Sequence, residues 1–430
     1  MSPPSRRSRR HFFRQQTKQG FVRLTIAMQG YLQKLFAYLR RWDRLLTLVL
    51  VLLWVGIIVV SFVIRGSYVF EGNLIVQEMS FTYTGEQDHL FLSTIRGIKA
   101  LDVEGNQPEP FVLTGKFSSP TDPNLNQKLS QFDRLTIELP YTSSRLIVAP
   151  KTSSSSNLNL LELRINTQTS VKQLTYQTQI NQLSFCLQSA SESPTLCRHQ
   201  GSAPERPASI PTPVGLLDMS LGRQTLTVDL ALFNIPELGI QTDIFGYNEL
   251  RLEVIPSVDQ KLLTLLSPTH IYIGLPAIPP ATNSRTADFR QWFWKDLDVT
   301  QVRFSQVLNT NSVRDSVANS TILSGEVRMQ DQKMELQENQ FLTVDSEPGI
   351  RKLRHIQLHP DQPQGLQTLI SGESSKIEVG FYPEYPVQTI EPSWLLKYLS
   401  QEATNALLTF IAALTGVLLP RLLPDAAQKP

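Results

Sequence analysis

The chain has 430 residues, with 40 Lys and Arg against 38 Asp and Glu, and 41% of it is hydrophobic. That content is ordinary for a globular protein and excludes a chain too polar to bury a core. The formal charge of +2 conceals an asymmetry: residues 1–44 carry eleven Lys or Arg and one acid, Asp43, whereas residues 66–396 carry 35 acids and 25 bases. The two regions are therefore expected to face different partners.

Residues 1–20 are basic and contain Pro and Ser, the composition of a tail without a packed core. Over residues 21–42 the pattern turns helical, with Leu24, Met28, Tyr31, Leu32, Leu35 and Leu39 on one face. Arg23, Lys34 and Arg41 fall on another face, and Arg40 and Arg44 follow closely. Such a basic amphipathic helix suits an anionic cytoplasmic membrane surface, and packing against a cytoplasmic protein is the alternative.

Residues 45–64 form a run of 20 without a charge. As a helix it is about 30 Å long, which matches the hydrocarbon core of a bilayer. The run is long for a signal peptide, its basic flank is extended and no A-x-A-like site follows, so it reads as an uncleaved signal anchor. Arg40, Arg41 and Arg44 precede it and only Arg65 abuts its far end, which places residues 1–44 in the cytoplasm and residue 66 onward outside.

Beyond the anchor, strand patterns dominate. LTVDLALF sets Leu226, Val228 and Leu230 against Thr227, Asp229 and Ala231, and KIEVGF puts Ile377, Val379 and Phe381 on one face. RLTIEL, LELRI, QLTYQTQI, ELRLEVI, VTQVRF and ILSGEVRM are similar short runs between Pro, Gly, Asn, Asp and Ser clusters. The expected fold class is mainly β, an antiparallel sandwich-like extracytoplasmic region flanked by two transmembrane helices. Residues 201–213 hold Pro204, Pro207, Pro211 and Pro213 and read as a linker between two β-rich domains, 67–200 and 214–392. A long loop within one larger β domain is the rival.

Residues 403–420 are again apolar, bounded by Glu402 and Arg421, with Trp394 and Tyr398 ahead of them. Eighteen residues reach about 27 Å, enough for a second span that returns residues 421–430 to the cytoplasm. An amphipathic or domain-docked helix is the alternative. Thr409, Ala412, Ala413 and Gly416 form a small-residue strip suited to close helix packing in lipid.

Chemistry is less legible. Cys186 and Cys197 are the two cysteines, and on the outside a disulfide between them is favoured over free thiols or a metal site with His199. No P-loop, dinucleotide fingerprint or G-x-S-x-G elbow is present, and Ser371-Gly372-Glu373-Ser374-Ser375 reads as a hairpin turn. His355 and His359, in HIQLH, lack the zinc-protease glutamate and sit about 13 Å apart on a strand face, too far for one metal. Asp296 and Asp298 do not follow EF-hand spacing. In a strand, Trp292, Phe293 and Trp294 cannot all enter one core, so core packing competes with a partner-binding edge.

No cofactor or metal is expected, nucleic acid is not an expected partner, and no motif points to catalysis. The sequence implies a two-span protein of a plasma or inner membrane, both termini cytoplasmic. Its partners are membrane lipids and either another protein or further copies of itself. The leading role is a noncatalytic assembly, scaffold or sensory subunit, and an oligomeric channel or transport-associated subunit is the alternative.

Overall fold

The computed structural model describes residues 66–152, 156–192, 197, 211–242, 249–277, 292–307, 318–345 and 349–392, with thirteen separate positions in two helical segments. Those positions are Leu52, Trp54 and Gly56, and ten between Glu402 and Val417. The chain divides into two compact units, Ser67–Pro392 and a second made of Met1–Gly66 with Ser393–Pro430. Among the described residues no helix is long and apolar enough to cross a membrane. The basic tail, the helix expected at 21–42 and most of the runs at 45–64 and 403–420 lie outside the described residues.

Unit Ser67–Pro392 is built of antiparallel strands. The first part of the chain supplies β1 (Tyr68–Val76), β2 (Glu78–Tyr83), β3 (His89–Leu92), β4 (Ala100–Gly105), β5 (Phe111–Ser118), β6 (Arg134–Ile137), β7 (Arg145–Pro150) and β8 (Asn159–Ile165). There follow β9 (Thr169–Gln177), β10 (Gln182–Ser189), β11 (Pro213–Ser220), β12 (Leu226–Ala231), β13 (Glu249–Pro256), β14 (Gln260–Leu266), β15 (Thr269–Gly274) and β16 (Leu297–Arg303). The last are β17 (Ser305–Val307), β18 (Ala318–Ser320), β19 (Ile322–Met329), β20 (Gln332–Leu336), β21 (Phe341–Val344), β22 (Gly349–His359), β23 (Gly365–Ser374), β24 (Ile377–Gly380) and β25 (Gln388–Ile390).

One sheet of 16 strands runs β20-β19-β1-β23-β22-β16-β2-β9-β10-β15-β4-β7-β12-β13-β5-β6. A four-stranded sheet, β14-β11-β8-β3, and a three-stranded sheet, β21-β24-β25, contribute to the same hydrophobic core. Alternation explains the faces. In β12, Leu226, Val228 and Leu230 are buried while Thr227, Asp229 and Ala231 are only partly so. In β1, Phe70, Leu74 and Val76 are fully buried and Glu71 and Asn73 face outward. Each such buried apolar side chain contributes about 1.5–3 kcal/mol. KIEVGF departs from expectation at its end: Ile377 and Val379 are buried, but the chain turns after Gly380 and leaves Phe381 half exposed.

The strand order corrects the domain boundary. β8 pairs with β11 and β10 pairs with β15, so strands on both sides of 201–213 share sheets. β1 goes further and lies between β19 and β23. The unit instead has two lobes that share one core: β2–β15, and β1 with β16–β25. Residues 201–210, with Pro204 and Pro207, lie outside the described residues.

Ser371–Ser374 belong to β23 and form no hairpin turn. The bend comes just afterwards, where the buried Ser374 Oγ donates to Lys376 O and accepts from Lys376 N. Both ends of the unit meet there. Tyr68 is opposite Ser374 and Ile390 is opposite Ile377. Partners across a ladder are about 5 Å apart and three residues span at most about 10 Å, so Tyr68 and Ile390 lie within about 20 Å of each other.

The helix Pro123–Leu129 was not legible as a helix from periodicity. Asp122 caps it by accepting the Asn124 amide, Pro123 opens it, and Leu125 and Leu129 anchor it in the core.

Gly372 shows how tightly the second lobe is packed. It lies opposite Phe70 of β1 and Ile350 of β22, and a Cβ there would stand 2.1 Å from Gly349 O. Backbone must move to admit it, so Gly372→Ala is expected to cost about 1–3 kcal/mol. Thermal unfolding checks this: the variant should melt several degrees below the parent, and an unchanged midpoint would contradict the packing described.

Candidate functional site

Strands from both lobes come together along β2. A single residue, Gln77, separates β1 from β2, and its amide donates to Thr321 O at 2.8 Å. Thr321 Oγ1 donates to Glu78 O at 2.5 Å, while its own amide donates to Phe304 O at 2.9 Å. β16 joins the lobes from the other side, pairing Leu297 and Asp298 with β22, then Val299, Thr300 and Arg303 with β2.

Glu78 opens this seam. Met79 and Phe81 point into the core, so period-two geometry turns Glu78, Ser80 and Thr82 to the opposite face. There the register sets Glu78 beside Thr175, Thr175 beside Ser184, Ser184 beside Tyr272 and Tyr272 beside Asp102. A cavity of 210 Å³ lies along this row, lined by Glu78, Gln173, Thr175, Gln177, Ser184, Phe185, His270 and Tyr272. Burial alone pushes the Glu78 carboxyl up to about 7. Burial, followed by the carboxylates of Glu104 and Asp102, pushes the Tyr272 phenol up to about 12.

Asp102 closes the row with a bidentate contact to Arg145, Nε to Oδ1 at 3.0 Å and Nη2 to Oδ2 at 2.5 Å. That hydrogen bond raises the guanidinium above its ordinary value more than burial lowers it. The cavity thus offers hydroxyl, amide and phenol groups, and a carboxyl that is partly protonated near neutrality. Among the described residues no group of three His, Cys, Asp or Glu side chains is placed to hold a metal.

Cys186 and Cys197 are disulfide-bonded, with Cα atoms 6.0 Å apart and both residues buried. Cys186 lies on β10 opposite Lys172 and His270, so the bond fastens the chain after β10 beside the polar row.

The aromatic run divides. Trp292 O accepts the Ser93 amide and Phe91 O accepts the Trp294 amide, so the segment covers the free edge of β3. Trp292 and Phe293 are buried, the latter edge-on to Phe91 at 5.3 Å, and Trp294 stays 50% exposed. His355 and His359 sit on β22, where His355 Nε2 meets Gln357 Oε1 and His359 Nδ1 lies near the carbonyls of Asp361 and Pro363. Asp298 pairs with Lys352.

Thr409, Ala412, Ala413 and Gly416 are helical and exposed, and Thr409 Oγ1 donates to Asn405 O at 2.7 Å. Arg23, Lys34, Arg40, Arg41 and Arg44 lie outside the described residues. Sequence reading missed Glu78 and its neighbours. The one available signal was an acid beginning a run of alternating apolar residues. Comparison with protein-family models, curated proteins and solved structures finds no match to this chain.

The raised Glu78 pKa makes stability depend on pH. An unfolded chain releases this proton near 4.5 and the folded one near 7, so stability is lost as pH rises between those values. Undiscounted, the shift is worth about 3 kcal/mol, and solvent screening of a partly exposed carboxyl reduces it to about 1–2 kcal/mol. Glu78→Gln should melt like the parent at pH 4.5 and higher than the parent at pH 8. Equal midpoints at both pH values would remove Glu78 as a titrating group.

Proposed function

We propose that the chain is an integral membrane protein that presents its β unit on the extracytoplasmic side, as a noncatalytic assembly, scaffold or sensory subunit. The observation that carries this reading is the closeness of the unit's two ends, Tyr68 opposite Ser374 and Ile390 opposite Ile377. Segments leaving Tyr68 and Ile390 within about 20 Å of each other can both enter one bilayer without unfolding a strand. Had the ends emerged on opposite sides of the unit, one flank would have to travel its full length first.

Three further features agree with this placement. Residues 45–64 and 403–420 are apolar enough to serve as spans, and the basic flank before the first favours a cytoplasmic N-terminus. The disulfide suits an oxidising compartment. A surface of excess acid suits the face away from the basic tail. Close packing of a second helix on the Thr409, Ala412, Ala413 and Gly416 strip is part of this reading, and a Cβ at Gly416 would meet no described atom within 4 Å.

Reporter domains fused before Met1 and after Pro430 test the topology in intact cells. Both should report the cytoplasmic side, and alkaline extraction should leave the chain in the membrane pellet. Release by alkali, or an external signal from the C-terminal fusion, would contradict the two-span reading.

A further inference from the structure

On the outer face of β2, two cations stand side by side without a carboxylate partner among the described residues. Arg303 of β16 is opposite Ser80. On the other flank, β9 bulges between Val171 and Leu174, and the Gln173 amide donates to Ser80 Oγ at 3.1 Å. Lys172 therefore lies in the same cross-strand row as Ser80 and Arg303. Both flanking strands are irregular at this row, with Gln173 and Gln301 in left-handed conformations at φ 53° and 52°. Non-glycine residues held so cost about 1–3 kcal/mol each, and bulges re-aim the side chains beside them.

Neither Lys172 nor Arg303 pairs with a carboxylate among the described residues. Several other strand cations are paired: Arg145 with Asp102, Arg251 with Asp229, Lys352 with Asp298 and Arg354 with Glu71. Burial first, and then repulsion from Arg303, hold the Lys172 ammonium below its ordinary value. The neighbouring acids do not relieve this. Among the described residues neither Glu78, whose carboxyl burial raises to about 7, nor Asp345, which lines a 420 Å³ groove with Arg303 and accepts from Ser375 Oγ, forms an ion pair with either cation. A second adjacent pair, Lys261 and Arg134, differs because Arg134 has the Glu237 carboxylate near it.

We propose that Lys172, Arg303 and Ser80 bind a phosphate group at the seam of the two lobes. The guanidinium offers paired donors, the ammonium a compact charge, and the Ser80 hydroxyl, which accepts from Gln173, still has its proton to donate. A bound phosphate would place negative charge between two cations that otherwise repel, and would hold β9, β2 and β16 together across the seam. Free phosphate and a phospholipid headgroup share this chemistry.

The test uses the full chain purified without phosphate or sulfate. Inorganic phosphate is titrated at constant ionic strength against chloride, with binding heat and melting midpoint as readouts. A parallel arm uses vesicles containing phosphatidic acid against phosphatidylcholine alone. A response to inorganic phosphate assigns a soluble ligand, and a response only to phosphatidic acid assigns a lipid headgroup. Lys172→Gln and Arg303→Gln should each weaken the response about tenfold or more. In chloride both variants should melt at or above the parent, because removing one cation relieves the repulsion. No response in either arm, or an equal response from parent and variants, would overturn the site.

Discussion

The structure depends on one pairing: β1, the first strand of the unit, is held between β19 and β23, whose residues come some 250 to 300 positions later. Nine residues of β1 pair with β23 without interruption, from Tyr68 opposite Ser374 to Val76 opposite Leu366. The space is narrow, and a Cβ at Gly72 would come within 2.9 Å of Ile370. The second lobe cannot close until the end of the chain is available, and closing so long a loop carries an entropic cost that grows slowly with its length. The same pairing brings the start and end of the unit together, and the membrane reading rests on that placement.

From β1 the chain crosses to the first lobe through Gln77 alone, so the seam concentrates demands that strands elsewhere avoid. Thr321 satisfies the backbone at the crossing, β16 changes partners from β22 to β2, and bulges at Gln173 and Gln301 absorb the mismatch. Polar groups collect where the ladders are irregular. Glu78, Lys172 and Arg303 all lie within a few residues of these irregularities, and among the described residues none of the three has the kind of ion-pair partner that Asp102 and Arg145 give each other. The pH dependence expected of Glu78 and the proposed phosphate site both fall on this seam.

Much of the fold was legible because strand faces are local. LTVDLALF, LELRI and ILSGEVRM became β12, β8 and β19 with the expected segments extended, and the close spacing of Cys186 and Cys197 made their bond readable. The misreadings concern what strands do across the sheet. Prolines at 204, 207, 211 and 213 suggested a domain boundary, but only partner choice shows that β8 and β11 are neighbours across it. The Ser371–Ser374 segment looked like a turn because Ser and Gly are common there, whereas Gly372 is required for close approach to Gly349. Lys172 and Arg303 are 131 positions apart, and only the shared neighbour Ser80 joins them. In Trp292-Phe293-Trp294 the conflict was visible in sequence, and the structure buries two of the rings and leaves Trp294 half exposed.

The adjacency of the unit's two ends can be measured directly. The native cysteines are joined to each other, so thiols introduced at the exposed Ser67 and Glu391 can carry a pair of spin labels. In the full chain, a pulsed-resonance distance distribution should centre at about 20–30 Å, the backbone separation plus the label arms. A distribution centred beyond about 45 Å would contradict the register that joins Tyr68, Ser374, Ile377 and Ile390, and with it the observation on which the proposed membrane topology rests.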